Sequence, residues 1–187
     1  MSAARAGAKT VTAVDLSRRA VATARLNAAL NRVRVQAVRG SLLDAVLGRR
    51  FDVIAANPPY LPAQTDSLPE RGPSRAWDGG RDGRLLLDRI ISTAPRHLRP
   101  GGVLWLVHTS LCGVDETLTK LEGAGLDAVI AEIHRGPLGP LLAARAGDLE
   151  ASGLLGPGER EEDVVAIRAG APRVEPPTRV RARRASG

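Results

Sequence analysis

The tetrapeptide Asn57-Pro58-Pro59-Tyr60 is the segment of this chain best suited to chemistry. It directly follows an apolar run, residues 51–56, that predicts a buried strand. An amide or exocyclic amino nitrogen is a poor nucleophile because its lone pair is delocalised, so both of its N–H groups must be held by acceptors. The Asn57 side-chain oxygen and the Pro58 carbonyl can be those acceptors. The tetrapeptide therefore predicts a site that presents a planar nitrogen to an electrophilic methyl group.

The remaining residues of the tetrapeptide fit the same task. Pro59 removes a backbone donor and restricts Pro58 to an extended conformation, which fixes the direction of its carbonyl. Tyr60 offers an aromatic face on which a planar group can stack. Positioning of this kind supplies most of the rate where no strong acid or base is needed. The alternative is a Pro-Pro turn that only ends a strand.

These residues resemble the HemK/PrmC family of protein-glutamine N5-methyltransferases, part of the class I group that uses S-adenosylmethionine. The resemblance covers about residues 8–168 and implies that Asn57, Pro58, Pro59 and Tyr60 are catalytic. Asn57, Pro58 and Tyr60 would bind the substrate amide, expected to be a glutamine of a translation release factor. Methylation of a nucleic-acid amino group, adenine N6 or guanine N2, stays open because the same tetrapeptide serves both. The aromatic content of 2% and the lack of a base-recognition domain count against that alternative.

A second candidate site residue, Asp15, ends an earlier predicted strand just before a helix. A carboxylate there can accept hydrogen bonds from both ribose hydroxyls of a nucleoside cofactor. Alternatively, it is a surface residue whose negative charge interacts favourably with the dipole of the helix that follows. The resemblance implies that S-adenosylmethionine binds here, through Asp15, Leu16, Ser41, Leu42 and Asn57. Ser41 departs from the family, which usually has an acidic residue at this position to contact adenine.

One expected part of the donor site does not occur in this sequence. The family begins with a strand that ends in an Asp/Glu-x-Gly-x-Gly turn, whereas residues 1–8 resemble the end of the helix that follows it. The missing strand would lie between the strands at residues 11–14 and 51–56, which must then pair directly, leave a gap or accept a strand from elsewhere. The simplest hypothesis is an N-terminally truncated or misassigned reading frame. A non-catalytic remnant that acts through a partner is the rival.

The pattern along the chain predicts a fold of the α/β class, a Rossmann-like class I methyltransferase sheet that lacks its first, central strand. Ser17 is a predicted N-cap, and Leu86, Leu87, Ile90, Ile91 and Ala94 form a helical stripe. Six strands are predicted, at residues 11–14, 33–38, 51–56, 103–107, 128–133 and 164–167, the last of them antiparallel at the sheet's end. Residues 141–149 are predicted to form one helix.

The segment Trp77-Asp78-Gly79-Gly80-Arg81-Asp82-Gly83 lies just before the stripe-bearing helix. It resembles a Gly-Gly-x-Asp-Gly segment at this place in release-factor methyltransferases, and its glycines permit tight turns. Because Trp77 lies in a loop that should cover the pocket, we expect it to bind substrate. The alternative is a polar loop with an aspartate near a helix start.

Composition bounds the remaining possibilities. The chain has 187 residues, a formal net charge of +7 and one cysteine, Cys112, which excludes an intramolecular disulfide and a cysteine-cluster metal site. No apolar run is long enough to span a bilayer, and no signal-peptide core follows Met1, so we expect a cytoplasmic protein with no metal and no membrane partner. Residues 1–168 are predicted to form the methyltransferase domain. Residues 169–187 carry five arginines and one glutamate and are predicted to be a disordered basic tail with at most a weak RNA contact.

Overall fold

The computed structural model describes residues 1–70 and 72–173. Its strands are β1 (Thr12–Asp15), β2 (Gln36–Arg39), β3 (Phe51–Ala56), β4 (Leu98–Thr109), β5 (Asp127–Pro137) and β6 (Glu161–Gly170). Its α-helices are α1 (Ser2–Arg5), α2 (Arg18–Leu30), α3 (Leu85–His97), α4 (Val114–Gly123), α5 (Pro140–Ala143) and α6 (Ala146–Ala151). The α/β class predicted from the sequence is confirmed.

The strands form two separate sheets. β1 and β2 pair in parallel, and a second sheet has the order β3-β4-β6-β5. β3 and β4 are parallel, whereas β6 is antiparallel to both β4 and β5. The predicted antiparallel direction of the last strand is therefore correct, but its predicted place at the sheet's end is wrong. β6 lies between β4 and β5 and hydrogen-bonds on both sides.

A gap separates β1 from β3. The two strands form no ladder with each other, and no strand within residues 1–70 and 72–173 lies between them. Of the three outcomes open for these strands, the structure shows the gap. Val53, in the middle of β3, is 59% exposed as a result. Both facing edges therefore keep unpaired backbone groups.

The main core lies between the four-stranded sheet and helices α3 and α4. The predicted stripe of α3 supplies Leu87, Ile90, Ile91 and Ala94, all almost fully buried. Leu104 and Leu106 of β4 meet them from the sheet. This packing fixes β3 and β4 against a helix, so the residues that follow β3 leave from a rigid element.

Several predicted boundaries need correction. The second strand begins at Gln36, not at Val33, because the Val33 amide bonds to the Ala28 carbonyl and completes the end of α2. The helix predicted over residues 141–149 is two short helices, α5 and α6. β6 continues to Gly170, two residues past the predicted domain boundary, and most of the predicted tail, residues 174–187, lies outside the described residues.

The described residues contain neither a candidate membrane span nor a candidate metal cluster. No helix there is both long and apolar enough to cross a membrane. Within the same residues, no group of three or more histidine, cysteine, aspartate or glutamate side chains is placed to hold a metal ion.

Candidate active site

A cavity lies in the gap between β1 and β3, lined by described residues of both strands. Its volume is about 750 Å³, in the range usual for small-molecule sites. Thr12 and Val14 of β1 line one side, and Val53 and Ala55 of β3 line the other. Toward the carboxyl ends of the strands the lining becomes polar. This is where ligands bind in open sheets of parallel strands.

The predicted donor-site residues meet at this end of the cavity. All five of them are among its lining residues: Asp15, Leu16, Ser41, Leu42 and Asn57. They come together because each follows, or ends, a strand whose carboxyl end lies at the same edge. The residues that the resemblance implied for donor binding therefore lie around one cavity, and their role there stays a prediction.

Asp15 is fixed by the start of the next helix. One of its carboxylate oxygens, Oδ1, accepts a hydrogen bond of 2.7 Å from the Ser17 amide. Ser17 in turn caps α2, because its hydroxyl oxygen accepts from the Ala20 amide at 3.3 Å. The predicted N-cap is thus confirmed. With one oxygen held by the backbone, the exposed carboxylate keeps the other available to a ligand.

The turn after β2 is shaped for close backbone packing. A side chain at Gly40 would place its Cβ 2.5 Å from the Ala45 Cβ, so the turn needs glycine here. Leu42 has a positive φ of 46°, which is rare for a branched residue and places strain beside the cavity. Asp44, a possible alternative acid in this turn, instead pairs with Arg89 at 2.9 Å.

The tetrapeptide divides between the cavity and the protein interior. Asn57, Pro58 and Pro59 line the cavity, and within the described residues the Asn57 amide makes no hydrogen bond that would occupy it. Tyr60 is half-buried and is not among the lining residues. Burial raises the pKa of the Tyr60 hydroxyl, and the nearby Glu162 carboxylate and Cys112 thiol raise it further. Tyr60 therefore stays a neutral ring at physiological pH.

The segment from Trp77 to Gly83 packs directly on the tetrapeptide. A Cβ at Gly79 would lie 2.8 Å from the Tyr60 Cα and 2.9 Å from the Pro59 carbonyl oxygen. Gly83 has a φ of +75°, and a Cβ there would overlap the Tyr60 carbonyl oxygen. The glycines thus let one stretch of backbone lie against another. Trp77, which we expected to bind substrate, pairs its carbonyl with the Leu61 amide at 2.7 Å and does not line the cavity.

Two charged residues near the site were not predicted. Arg84 is only 3% exposed and donates to the Thr117 hydroxyl at 3.1 Å and to the Asp88 carboxylate at 2.8 Å. Arg145 bonds to Asp78, a cavity-lining residue, at 2.8 Å. The i,i+4 spacing of Arg84 and Asp88 is a sequence signal that could have found their contact. No local signal marks the other contact, because Arg145 and Asp78 are 67 residues apart.

The histidine at the end of β4 is structural. His108 is fully buried, does not line the cavity, and its Nδ1 lies 2.8 Å from the Thr109 carbonyl oxygen. Burial lowers the pKa of His108, the hydrogen bond to Thr109 opposes this, and the charge of Arg84 lowers it further. The ring is therefore neutral near pH 7.

Several known proteins similar to this chain are named as methyltransferases. The family described as "Methyltransferase small domain" matches residues 1–69. A putative protein N5-glutamine methyltransferase of Methanocaldococcus jannaschii is 38% identical over 146 residues, which are 78% of this chain and 74% of that protein. The chain belongs to the HemK/PrmC methyltransferase family. The resemblance carried by Asn57-Pro58-Pro59-Tyr60 is thereby confirmed at the level of the family.

Other HemK/PrmC relatives are longer than this chain. The release factor glutamine methyltransferase of Geobacter sulfurreducens is 38% identical over 113 residues, or 58% of this chain but 39% of that protein. Among solved structures, the Mtq2-Trm112 complex of E. cuniculi, described as responsible for methylation of the eRF1 translation termination factor, has a TM-score of 0.51 and is 23% identical. The match covers 89% of this chain and 88% of that chain, and it shows the class I methyltransferase fold.

Proposed function

We propose that this HemK/PrmC member transfers a methyl group from S-adenosylmethionine to the side-chain amide of a protein glutamine, most simply in a translation release factor. The observation that supports this most strongly is the placement of Asn57 and Pro58. Both line the cavity that Asp15, Ser41 and Leu42 also line, so the proposed amide acceptors and the proposed nucleoside contacts border one space. Relatives named as release factor or ribosomal protein uL3 glutamine methyltransferases support the choice of substrate.

The protein's own groups have a defined task in this reaction. The Asn57 side-chain oxygen and the Pro58 carbonyl accept the two N–H groups of the glutamine amide, which holds its nitrogen toward the cavity. Asp15 binds the ribose of the donor, and Leu42 packs against its base. Ser41 accepts a hydrogen bond from the base more weakly than the family's usual acid. When bound, S-adenosylmethionine supplies the electrophilic methyl group.

We propose that Tyr60 and Trp77 also bind the substrate. Tyr60 follows the two acceptors directly and stays neutral, so its ring can stack on a planar amide. Trp77 is only partly buried and pairs with the segment after Tyr60, so it can meet the substrate outside the cavity. We propose that the basic residues after Arg173 add at most a weak RNA contact, and that the protein acts in the cytoplasm.

A direct assay tests the proposed reaction. The purified chain is incubated with methyl-labelled S-adenosylmethionine and, separately, with release factor, ribosomal protein uL3 and rRNA. We expect label in a glutamine of one protein substrate and a loss of about hundredfold or more in Asn57→Ala. Asn27→Ala is the matched control, because Asn27 is an exposed asparagine on α2. Label in rRNA alone would replace the amide with a nucleic-acid amino group.

The gap between β1 and β3 makes a second proposal necessary for the donor side. We propose that residues 1–168 form a methyltransferase domain without its central strand. We further propose that tight binding of S-adenosylmethionine needs a strand added between these two edges. Calorimetric titration of S-adenosylmethionine into the 187-residue chain, and into a form extended by any in-frame upstream codons, tests this. We expect at least tenfold tighter binding to the extended form. Equal, micromolar binding to both would show that the strand is not needed, and no binding to either would support a non-catalytic remnant.

A further inference from the structure

A second, smaller core lies beside the tetrapeptide, and none of its buried residues lines the donor cavity. Its buried residues come from the segment between β5 and β6, which contains α5 and α6: Leu138, Leu142, Ala146, Leu149 and Leu155. Leu61, the residue directly after Tyr60, packs against this cluster. We call it the α5–α6 cluster. It brings the segment between β5 and β6 against the loop that follows the tetrapeptide.

Arg145, at the start of α6, joins this cluster to two points of that loop. One guanidinium nitrogen donates to the Pro62 carbonyl oxygen at 2.7 Å, and the other donates to Asp78 Oδ1 at 2.8 Å. The Arg145 side chain is 27% exposed and that of Asp78 is 14% exposed. The contact is therefore largely shielded from water, which strengthens it relative to a surface ion pair.

Leu61, the residue before Pro62, pairs with the backbone around Asp78. The Leu61 amide donates to the Trp77 carbonyl at 2.7 Å, and the Gly79 amide donates to the Leu61 carbonyl at 2.9 Å. Gly79 in turn lies against the backbone of Pro59 and Tyr60. A short chain of backbone contacts thus runs from the Arg145 guanidinium to the tetrapeptide.

We propose that Arg145 is a positioning residue for the active site, acting through Pro62 and Asp78 on the Asn57–Tyr60 backbone. Its effect on catalysis rests on the function proposed above, whereas its effect on Tyr60 does not. The planar guanidinium bridges two acceptors that come from separate segments of the loop, and it holds them at one fixed spacing. A lysine ammonium is a point charge on a flexible stem and does not reproduce that spacing.

The chain contains its own reporter for this proposal. Tyr60 is the only tyrosine among the 187 residues, so protein labelled with 3-fluorotyrosine gives one fluorine resonance from the active site. The resonance is recorded for the wild type, Arg145→Lys and Asp78→Asn, and for the double variant. Arg160→Lys is the matched control, because Arg160 pairs with Glu150 of helix α6, and its side chain makes no bond to the described residues of the loop. Folding of each variant is checked by circular dichroism.

We expect Arg145→Lys and Asp78→Asn each to shift or broaden the Tyr60 resonance, and the double variant to do so no further. Arg160→Lys should leave it unchanged. In the methylation assay, Arg145→Lys should lower kcat about tenfold or more while the dissociation constant of S-adenosylmethionine stays within twofold, because Arg145 bonds to Pro62 and Asp78, neither of which is a proposed donor-binding residue.

An unchanged Tyr60 resonance in folded Arg145→Lys overturns the proposal. So does a variant that loses thermal stability but keeps the wild-type kcat, since Arg145 would then be only structural. If the wild type methylates none of the substrates, the proposed function fails, but the fluorine resonance still decides whether Arg145 positions Tyr60.

Discussion

Gly83→Ala is the substitution whose cost the structure defines best. Gly83 has a φ of +75°, a backbone conformation that costs an L-residue about 1–2 kcal/mol. Its added Cβ would also overlap the Tyr60 carbonyl oxygen and lie 2.7 Å from the Cys112 sulfur. Overpacking of this kind costs about 1–3 kcal/mol more. The expected total is about 2–5 kcal/mol of unfolding free energy, a large share of the usual stability of a domain.

Gly153→Ala separates the two contributions. Gly153 has nearly the same φ, +74°, but no atom lies within 4 Å of a Cβ built there. It should therefore cost only the backbone part, about 1–2 kcal/mol. Urea denaturation of both variants gives the difference between their unfolding free energies, which is the cost of the close contact with Tyr60 and Cys112. We expect Gly83→Ala to be less stable than Gly153→Ala by about 1–3 kcal/mol.

The same pair of variants tests the link to function. The atom that a Cβ at Gly83 meets first belongs to the Tyr60 backbone, so relief of the overlap must move the end of the tetrapeptide. Gly83→Ala should then lower methyl transfer about tenfold or more in the folded protein, while Gly153→Ala leaves it unchanged. Equal free energies of unfolding for the two variants would refute the close contact on which this reasoning depends.

Three further outcomes follow from burial and capping. Burial raises the pKa of the Cys112 thiol to about 12, so the native protein should not react with a disulfide reagent at pH 8. Unfolding in urea should expose one reactive thiol. Rapid reaction of the native protein would contradict this burial. The pKa of His108 is lowered, so the unfolded state binds its proton first as the pH falls. The unfolding free energy should therefore decrease below about pH 6.5, and His108→Gln should reduce that slope in pH-dependent urea titrations; an unaltered slope would contradict it. Ser17→Ala removes the hydrogen bond from the Ala20 amide and should lower the unfolding free energy, measured by urea denaturation, by about 1 kcal/mol. An unchanged unfolding free energy would contradict the role of Ser17 as the cap.

The sequence predicted the elements whose local signals agree with one another. β3 spans Phe51–Ala56 as predicted, because a short apolar run ends sharply at Asn57-Pro58-Pro59. The α3 stripe was predictable from its helical spacing. The start of β2 was not, because Val33 and Val35 alternate like a strand while Arg32, with a φ of +53°, turns the chain out of α2. There the turn that ends α2 overrides the β preference of the valines.

Long-range pairing was harder to predict than local structure. Nothing in residues 161–170 marks them as a strand inserted between β4 and β5, since the order of strands depends on which edges are free when the chain returns. The grouping of Asp15, Ser41 and Asn57 was predictable because carboxyl ends of parallel strands meet at one edge. Arg145 was not, because its partners Pro62 and Asp78 lie 83 and 67 residues away.

The two halves of the candidate site differ in how firmly the described residues hold them. The tetrapeptide side is fixed by Gly79, Gly83 and the Cys112 thiol, which donates to the Tyr60 carbonyl at 3.1 Å, and Arg145 adds a further link. The donor side lies between two strand edges with unpaired backbone groups and an exposed Val53. A strand placed there would run beside both β1 and β3 and end between Asp15 and Asn57. Added polypeptide should therefore change donor affinity while leaving the Tyr60 environment as it is, because Gly79, Gly83 and Cys112, which contact the Tyr60 backbone, do not line the cavity.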